Sequence, residues 1–167
     1  MGEFEHIKAP TREEIDAWWN QMPRALPEYC AVVSALKPIL FNMTPKIVAI
    51  DGPNGTGKTT LGRYLSYMFN SSLIETDLFS RRPGFEYDLE QIRKLIYRRV
   101  EGGRPVFVEG VTILKIFDSI SIEPDFHIYW ENVHQSDSAV DRVDRLGVLL
   151  RRYCRKYNPR ERANFAI

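Results

Sequence analysis

Lys46-Ile47-Val48-Ala49-Ile50-Asp51-Gly52-Pro53-Asn54-Gly55-Thr56-Gly57-Lys58-Thr59-Thr60 opens with a short apolar, β-branched run and passes into a glycine-rich turn. The run 46–50 fits a buried parallel strand. Residues 52–59 then satisfy GxxxxGK[ST] at every required position. Glycines at 52, 55 and 57 let the backbone curl and bring N–H groups close to phosphate oxygens without a Cβ in the way. The helix expected over 58–69, with Leu61, Leu65 and Met68 on one side, aims unsatisfied amides and its positive dipole end at the same place. Lys58 adds a mobile positive charge for the β- and γ-phosphates, and the Thr59 hydroxyl is a hard oxygen ligand suited to Mg²⁺. Gly52, Pro53, Asn54, Gly55, Thr56, Gly57, Lys58, Thr59 and Thr60 are therefore the expected nucleotide-binding residues. The motif alone does not choose between kinases, ATPases, GTPases and motors, although no Asn/Thr-Lys-x-Asp guanine-reading motif is visible.

Working outward, strands and helices alternate. Residues 72–76 form a weaker strand candidate. Leu89, Ile92, Ile96 and Val100 mark a helix over 89–100 that stops at Gly102-Gly103. Pro105-Val106-Phe107-Val108-Glu109 and Phe126-His127-Ile128-Tyr129-Trp130 read as buried strands. Val143, Leu146, Leu150, Tyr153 and Tyr157 stripe a last helix, and residues 163–167 could add a terminal strand. This alternation predicts an α/β fold with a parallel sheet covered on both faces. Before residue 45 the pattern differs. Thr11 and Glu14 suit a capping box; Ile15, Trp18, Trp19 and Met22 follow at helical spacing, and a second helix is expected over 28–36. The expected division is an N-terminal helical extension, 1–44, and a P-loop domain, 45–167, which the resemblance described below makes a kinase domain. The two tryptophans are expected to dock this arm onto the domain or a partner subunit.

In an open α/β sheet ligands sit outside the carboxyl ends of the strands. Two acids are predicted there: Asp77, after the strand ending near Thr76, and Glu109, ending the strand Val106-Phe107-Val108. Both should lie near Lys58 and Thr59. One carboxylate can hold the Mg²⁺ shell while the other orients an attacking hydroxyl. Asp51 and Glu75 are either substrate contacts or turn caps.

Together, residues 52–60, Glu75-Thr76-Asp77-Leu78-Phe79, Val106-Phe107-Val108-Glu109-Gly110 and Tyr157-Asn158-Pro159-Arg160-Glu161-Arg162-Ala163 resemble the uridine kinase-like branch of P-loop kinases, which includes nicotinamide riboside kinases. The resemblance covers roughly residues 45–167. It implies a five-stranded parallel sheet and Mg²⁺-dependent transfer of the ATP γ-phosphoryl group to a hydroxymethyl group, often a nucleoside 5′-hydroxyl. It places the catalytic aspartate at Asp77 and the strand-end glutamate at Glu109, with Thr59, Asp77 and Glu109 around the metal. Tyr87 and Asp88 stand where substrate contacts are expected; Arg81 and Arg82 either face substrate as well or form a solvated turn. Arg142 and Arg145 are the best counterparts of the lid arginines, which neutralise charge on the transferring group; paired with Asp141 and Asp144 they read equally as a balanced helix face. Such kinases usually continue beyond the last strand into an adenine-contacting loop, which is not found before Ile167.

The remaining features narrow the setting. A formal net charge of +1 gives no whole-chain pull toward nucleic acid or an acidic membrane. The basic cluster from Arg151 to Arg162 reads as arginine stems flanking a helix. Cys30 and Cys154 form no CxxC pattern, so reduced thiols are expected. No run of eighteen apolar residues occurs, and the first eleven residues do not resemble a signal peptide. The expectation is a cytoplasmic kinase of a small-molecule acceptor such as a nucleoside, self-associating if at all through its N-terminal helices. The alternative is a P-loop ATPase or nucleotide switch that acts with a protein partner.

Overall fold

The computed structural model describes residues 11–13, 27–82, 86–131 and 145–167, with the backbone alone for Arg82, Arg145 and Leu146. The expected tryptophan stripe and Arg142 lie outside these residues. In chain order the strands are β1 (Ile47–Asp51), β2 (Ser72–Glu75), β3 (Ser80–Arg82), β4 (Glu86–Tyr87), β5 (Val106–Glu109), β6 (Phe126–Tyr129) and β7 (Phe165–Ala166). Five of them form a parallel sheet in the order β2-β5-β1-β6-β7. From β1 the chain crosses to the edge strand β2, returns to β5 between them, and then passes to the other side of β1 for β6 and β7. β1 is therefore the switch point, where a crevice opens at the carboxyl edge. β3 and β4 make a separate antiparallel pair.

Side-chain alternation along the strands sorts the core into two halves. Val48, Ile50, Phe107, Phe126 and Ile128 face helices α1 (Pro27–Leu36) and α2 (Lys58–Met68), where Val32, Leu36, Leu61 and Leu65 are fully buried. Ala49, Val106 and Val108 face the opposite way. There they meet Ile92 and Ile96 of α3 (Leu89–Glu101), Ile113, Ile116 and Phe117 of α4 (Ile113–Ile120), and Tyr153 of α5 (Arg145–Tyr157). A short helical turn, α6 (Pro159–Arg162), leads into β7. Asp88 caps α3 by accepting from the Gln91 N–H at 3.1 Å. Among the described residues no helix is long and apolar enough to cross a membrane.

Among the described residues the strands and helices expected from residue 27 onward are present to within about two residues at each end, and α4 and the β3–β4 pair are added; the expected helix bearing the two tryptophans lies outside the described residues. α1 belongs to the same core as the sheet: Tyr29, Val32, Val33 and Leu36 are all buried in it. Its Tyr29 ring lies 5.5 Å from Trp130 and 5.3 Å from Tyr64, both at tilted angles that favour aromatic packing. Leu36→Ala should cost about 2–5 kcal/mol, lowering Tm by roughly 5–15 °C. Thermal unfolding followed by circular dichroism tests this; a fall below about 2 °C would detach α1 from the cooperative core.

Candidate nucleotide-binding site

Half of the turn after β1, residues 52–57, is glycine, so its shape is imposed largely from beneath. Asp51, fully buried at the end of β1, accepts from the Gly52 N–H at 2.8 Å. The Trp130 indole N–H donates to the Thr56 carbonyl at 2.9 Å, and the Thr56 hydroxyl donates to the Pro53 carbonyl at 2.9 Å. Gly52 has φ +145°, and a Cβ there would stand 2.0 Å from the Trp130 carbonyl oxygen; no other residue fits. Gly57, also at positive φ, is the left-handed cap from which α2 begins. Asn54, Gly55 and Gly57 are exposed on the open side of the loop.

Lys58 is buried, and its ammonium donates to the Pro53 carbonyl at 2.6 Å, closing the loop across its mouth. Burial lowers its pKa; Glu109, Asp51 and Asp77 act in the opposite direction. The Thr59 hydroxyl donates to Glu109 Oε1 at 3.0 Å. Glu109 is itself buried, and desolvation raises its pKa against the pull of Thr59 and Lys58. The sheet therefore presents a lysine, a hydroxyl and a carboxylate at one point, all partly stripped of water.

Asp77 sits in the 3₁₀ turn Thr76–Phe79 that follows β2 and is exposed. Its charge acts on Lys58, Glu109 and Tyr87. Gly110 lets this turn come close: a Cβ there would meet the Thr76 hydroxyl oxygen at 2.2 Å. A glycine directly after the strand-end glutamate is thus what allows Asp77 to share the site with Glu109. Burial and then Asp77 push the Tyr87 phenol up to about 12.

These residues fit Mg²⁺. The Thr59 hydroxyl and the Glu109 carboxylate are adjacent hard oxygens, with Asp77 within electrostatic reach. A cation that keeps most of its waters and uses phosphate oxygens needs only one or two protein ligands. No group of three or more metal-binding side chains occurs among the described residues.

A solved structure described as a possible uridine kinase from Bacillus stearothermophilus is similar to this chain, with TM-score 0.56 and 17% identity, over 85% of this chain and 100% of that one. The chain has the fold of the P-loop small-molecule kinases. An uncharacterized protein from Eubacterium ventriosum (TM-score 0.48, 13% identity, 73% of this chain and 86% of that one) and a shikimate kinase from Acinetobacter baumannii solved with shikimate (0.44, 17%, 75% and 84%) are more distant and add nothing to that assignment. No protein-family model matches the sequence, and no curated protein matches it significantly.

The structure brings Lys58, Thr59, Glu109, Asp77 and Tyr87 to one edge of the sheet. Thr60 follows on α2, half-buried. Arg82 lies on β3 and Arg145 begins α5, each with its side chain outside the described residues. Arg81 and Asp88 pair with each other at 2.5 Å, and Asp88 also caps α3, so both serve the hairpin and helix rather than facing a ligand. Glu75 pairs with Arg63 at 2.9 Å, and Asp51 caps the loop's entry. Trp130 escaped the sequence reading because an indole at a strand end looks like ordinary core; only its hydrogen bond to Thr56 shows that it braces the loop.

The raised carboxyl of Glu109 has a testable pH consequence. A group whose folded pKa exceeds its unfolded one contributes stability that is complete below the unfolded value and is lost as pH rises through the folded value. Wild type should therefore gain stability relative to Glu109→Gln on going from pH 8 to pH 5. Denaturant unfolding of both proteins at the two pH values measures this, and the opposite sign would mean that Glu109 is not desolvated.

Proposed function

We propose that the chain transfers the γ-phosphoryl group of ATP, with Mg²⁺, to a hydroxyl of a small molecule such as a nucleoside or similar metabolite. The observation that carries this is the hydrogen bond from Thr59 to Glu109, placed beside buried Lys58 and within the field of Asp77. In the reaction ATP and R–OH give ADP, the phosphate ester of R, and a proton. The bond from the γ-phosphorus to the β–γ bridging oxygen breaks as the acceptor oxygen bonds to the phosphorus. Bound Mg²⁺ supplies charge neutralisation at the phosphates, and Thr59 and Glu109 are the residues to hold it.

The protein's own part is positioning and electrostatics. The loop amides and the start of α2 bind phosphate oxygens. Lys58, poorly solvated, places a positive charge where negative charge shifts onto the leaving oxygen. Asp77, exposed at the rim, accepts the hydrogen bond of the incoming hydroxyl and takes its proton as transfer completes. Tyr87, close to Thr112, forms a wall of the space beside Asp77.

Lys58→Ala should lower ATP turnover by about 10² or more and weaken binding of a nonhydrolysable ATP analogue. Asp77→Asn should lower turnover by about 10² while analogue affinity stays within a factor of about two. A coupled assay of ADP release over a panel of nucleosides, sugars and vitamins reads both. ADP release that no added hydroxyl compound stimulates would overturn the kinase reading in favour of a hydrolase or switch.

A further inference from the structure

Two cavities flank the first turn of α4, and Lys115 lines both. One, of about 270 Å³, is bounded by Glu86, Tyr87, Leu89, Ile116 and Ser119. The other, of about 220 Å³, lies between α4 and α5, with Thr112, Leu149 and Tyr153 in its lining and Lys115, Arg152 and Lys156 exposed at its edge. Tyr87 lines the first cavity and lies within the electrostatic reach of Asp77, and Thr112, close to Tyr87, lines the second. Both cavities therefore lie on the side of the molecule where an acceptor hydroxyl must sit.

The charges of the second cavity are unbalanced. Packed helices commonly set opposite charges across a groove; here Lys115 of α4 faces Arg152 and Lys156 of α5. Neither Lys115 nor Arg152 forms an ion pair with a described residue. Lys156 lies over the Tyr157 ring at 4.7 Å and donates to its hydroxyl at 3.1 Å. The nearby carboxylate, Asp118, already accepts from Tyr157 at 2.9 Å. Like charges gathered at the rim of one groove repel one another, the more so at low ionic strength. A bound anion removes that repulsion. The first cavity, by contrast, carries the carboxylate of Glu86 and suits the uncharged part of a ligand.

We propose that the acceptor carries an anionic group, phosphate or carboxylate, away from its reacting hydroxyl, and that Lys115 and Arg152 hold this group in the groove between α4 and α5. The inference rests on the kinase reading only in calling the ligand an acceptor; the anion site stands or falls separately.

Binding is measured calorimetrically at constant ionic strength for two matched pairs, ribose with ribose 5-phosphate and glucose with gluconate. The protein is saturated with Mg²⁺ and a nonhydrolysable ATP analogue, so that the phosphate loop is filled. At least one anionic member should bind about 10-fold or more tightly than its neutral partner. The phosphate and carboxylate arms show which group is preferred. In the Lys115→Ala/Arg152→Ala protein that advantage should fall to within about twofold, with analogue affinity unchanged. Equal affinities within both pairs, no binding by either anion at about 1 mM, the upper end of typical KM values, or an advantage that survives the double substitution would overturn the proposal. If the wild type fails to bind the analogue, the kinase reading falls instead. The same pairs, measured on Lys58→Ala without nucleotide, then still decide the anion site.

Discussion

A turn rich in glycine is cheap to bend and correspondingly hard to keep in one shape. The bond from the Trp130 indole to the Thr56 carbonyl, with Asp51 gripping the first amide of the turn, resolves that conflict. Both residues stand at strand ends, on β1 and just past β6, so the loop inherits the rigidity of the middle of the sheet. Trp130 is in turn backed by Tyr29 of α1. The path from helix to indole to loop carbonyl connects packing on one face of the sheet to chemistry at its edge.

The same edge concentrates charge where water is scarce. Lys58 and Glu109 are both displaced from their solution pKa values by burial, in opposite directions, and each partly compensates the other. Such a pair is costly to maintain and is rarely justified by stability alone. Its arrangement suits a site that receives a polyanion together with a dication, because both ligands replace solvation that the protein has withheld.

Much of this arrangement was legible from residue order. The loop, the strands on either side of β1, and the strand-end positions of Asp77 and Glu109 follow from short apolar runs bounded by Gly and Pro, since such runs have few alternatives in a parallel sheet. Other features depend on contacts between distant residues. The segment 113–120 carries a helical stripe, Ile113, Ile116, Phe117 and Ile120, but it is shorter than the roughly ten residues that separate a helix from a buried strand by pattern alone, so α4 is settled only once these residues are seen in the core beside β5. The two and three residues of β4 and β3 have no pattern of their own; the Arg81–Asp88 ion pair and the Asp88 cap fix that corner. Gly110 was visible as part of a Glu-Gly pair, while its reason, the approach of Thr76, appears only in three dimensions.

One phenol remains to be considered for what it links. The Tyr153 hydroxyl donates to Asp51 and accepts from the Leu114 amide at 3.2 Å. It therefore joins α5 to the last residue of β1 and to the first turn of α4 within a single buried junction. None of these three elements can slide past another while the junction holds. A displacement of α5 along its axis must either drag Asp51, and with it the amide of Gly52, or strand a buried carboxylate without its donor. The helix that follows residues 132–144 and the mouth of the phosphate loop are thus geared together, so whatever repositions one alters the other.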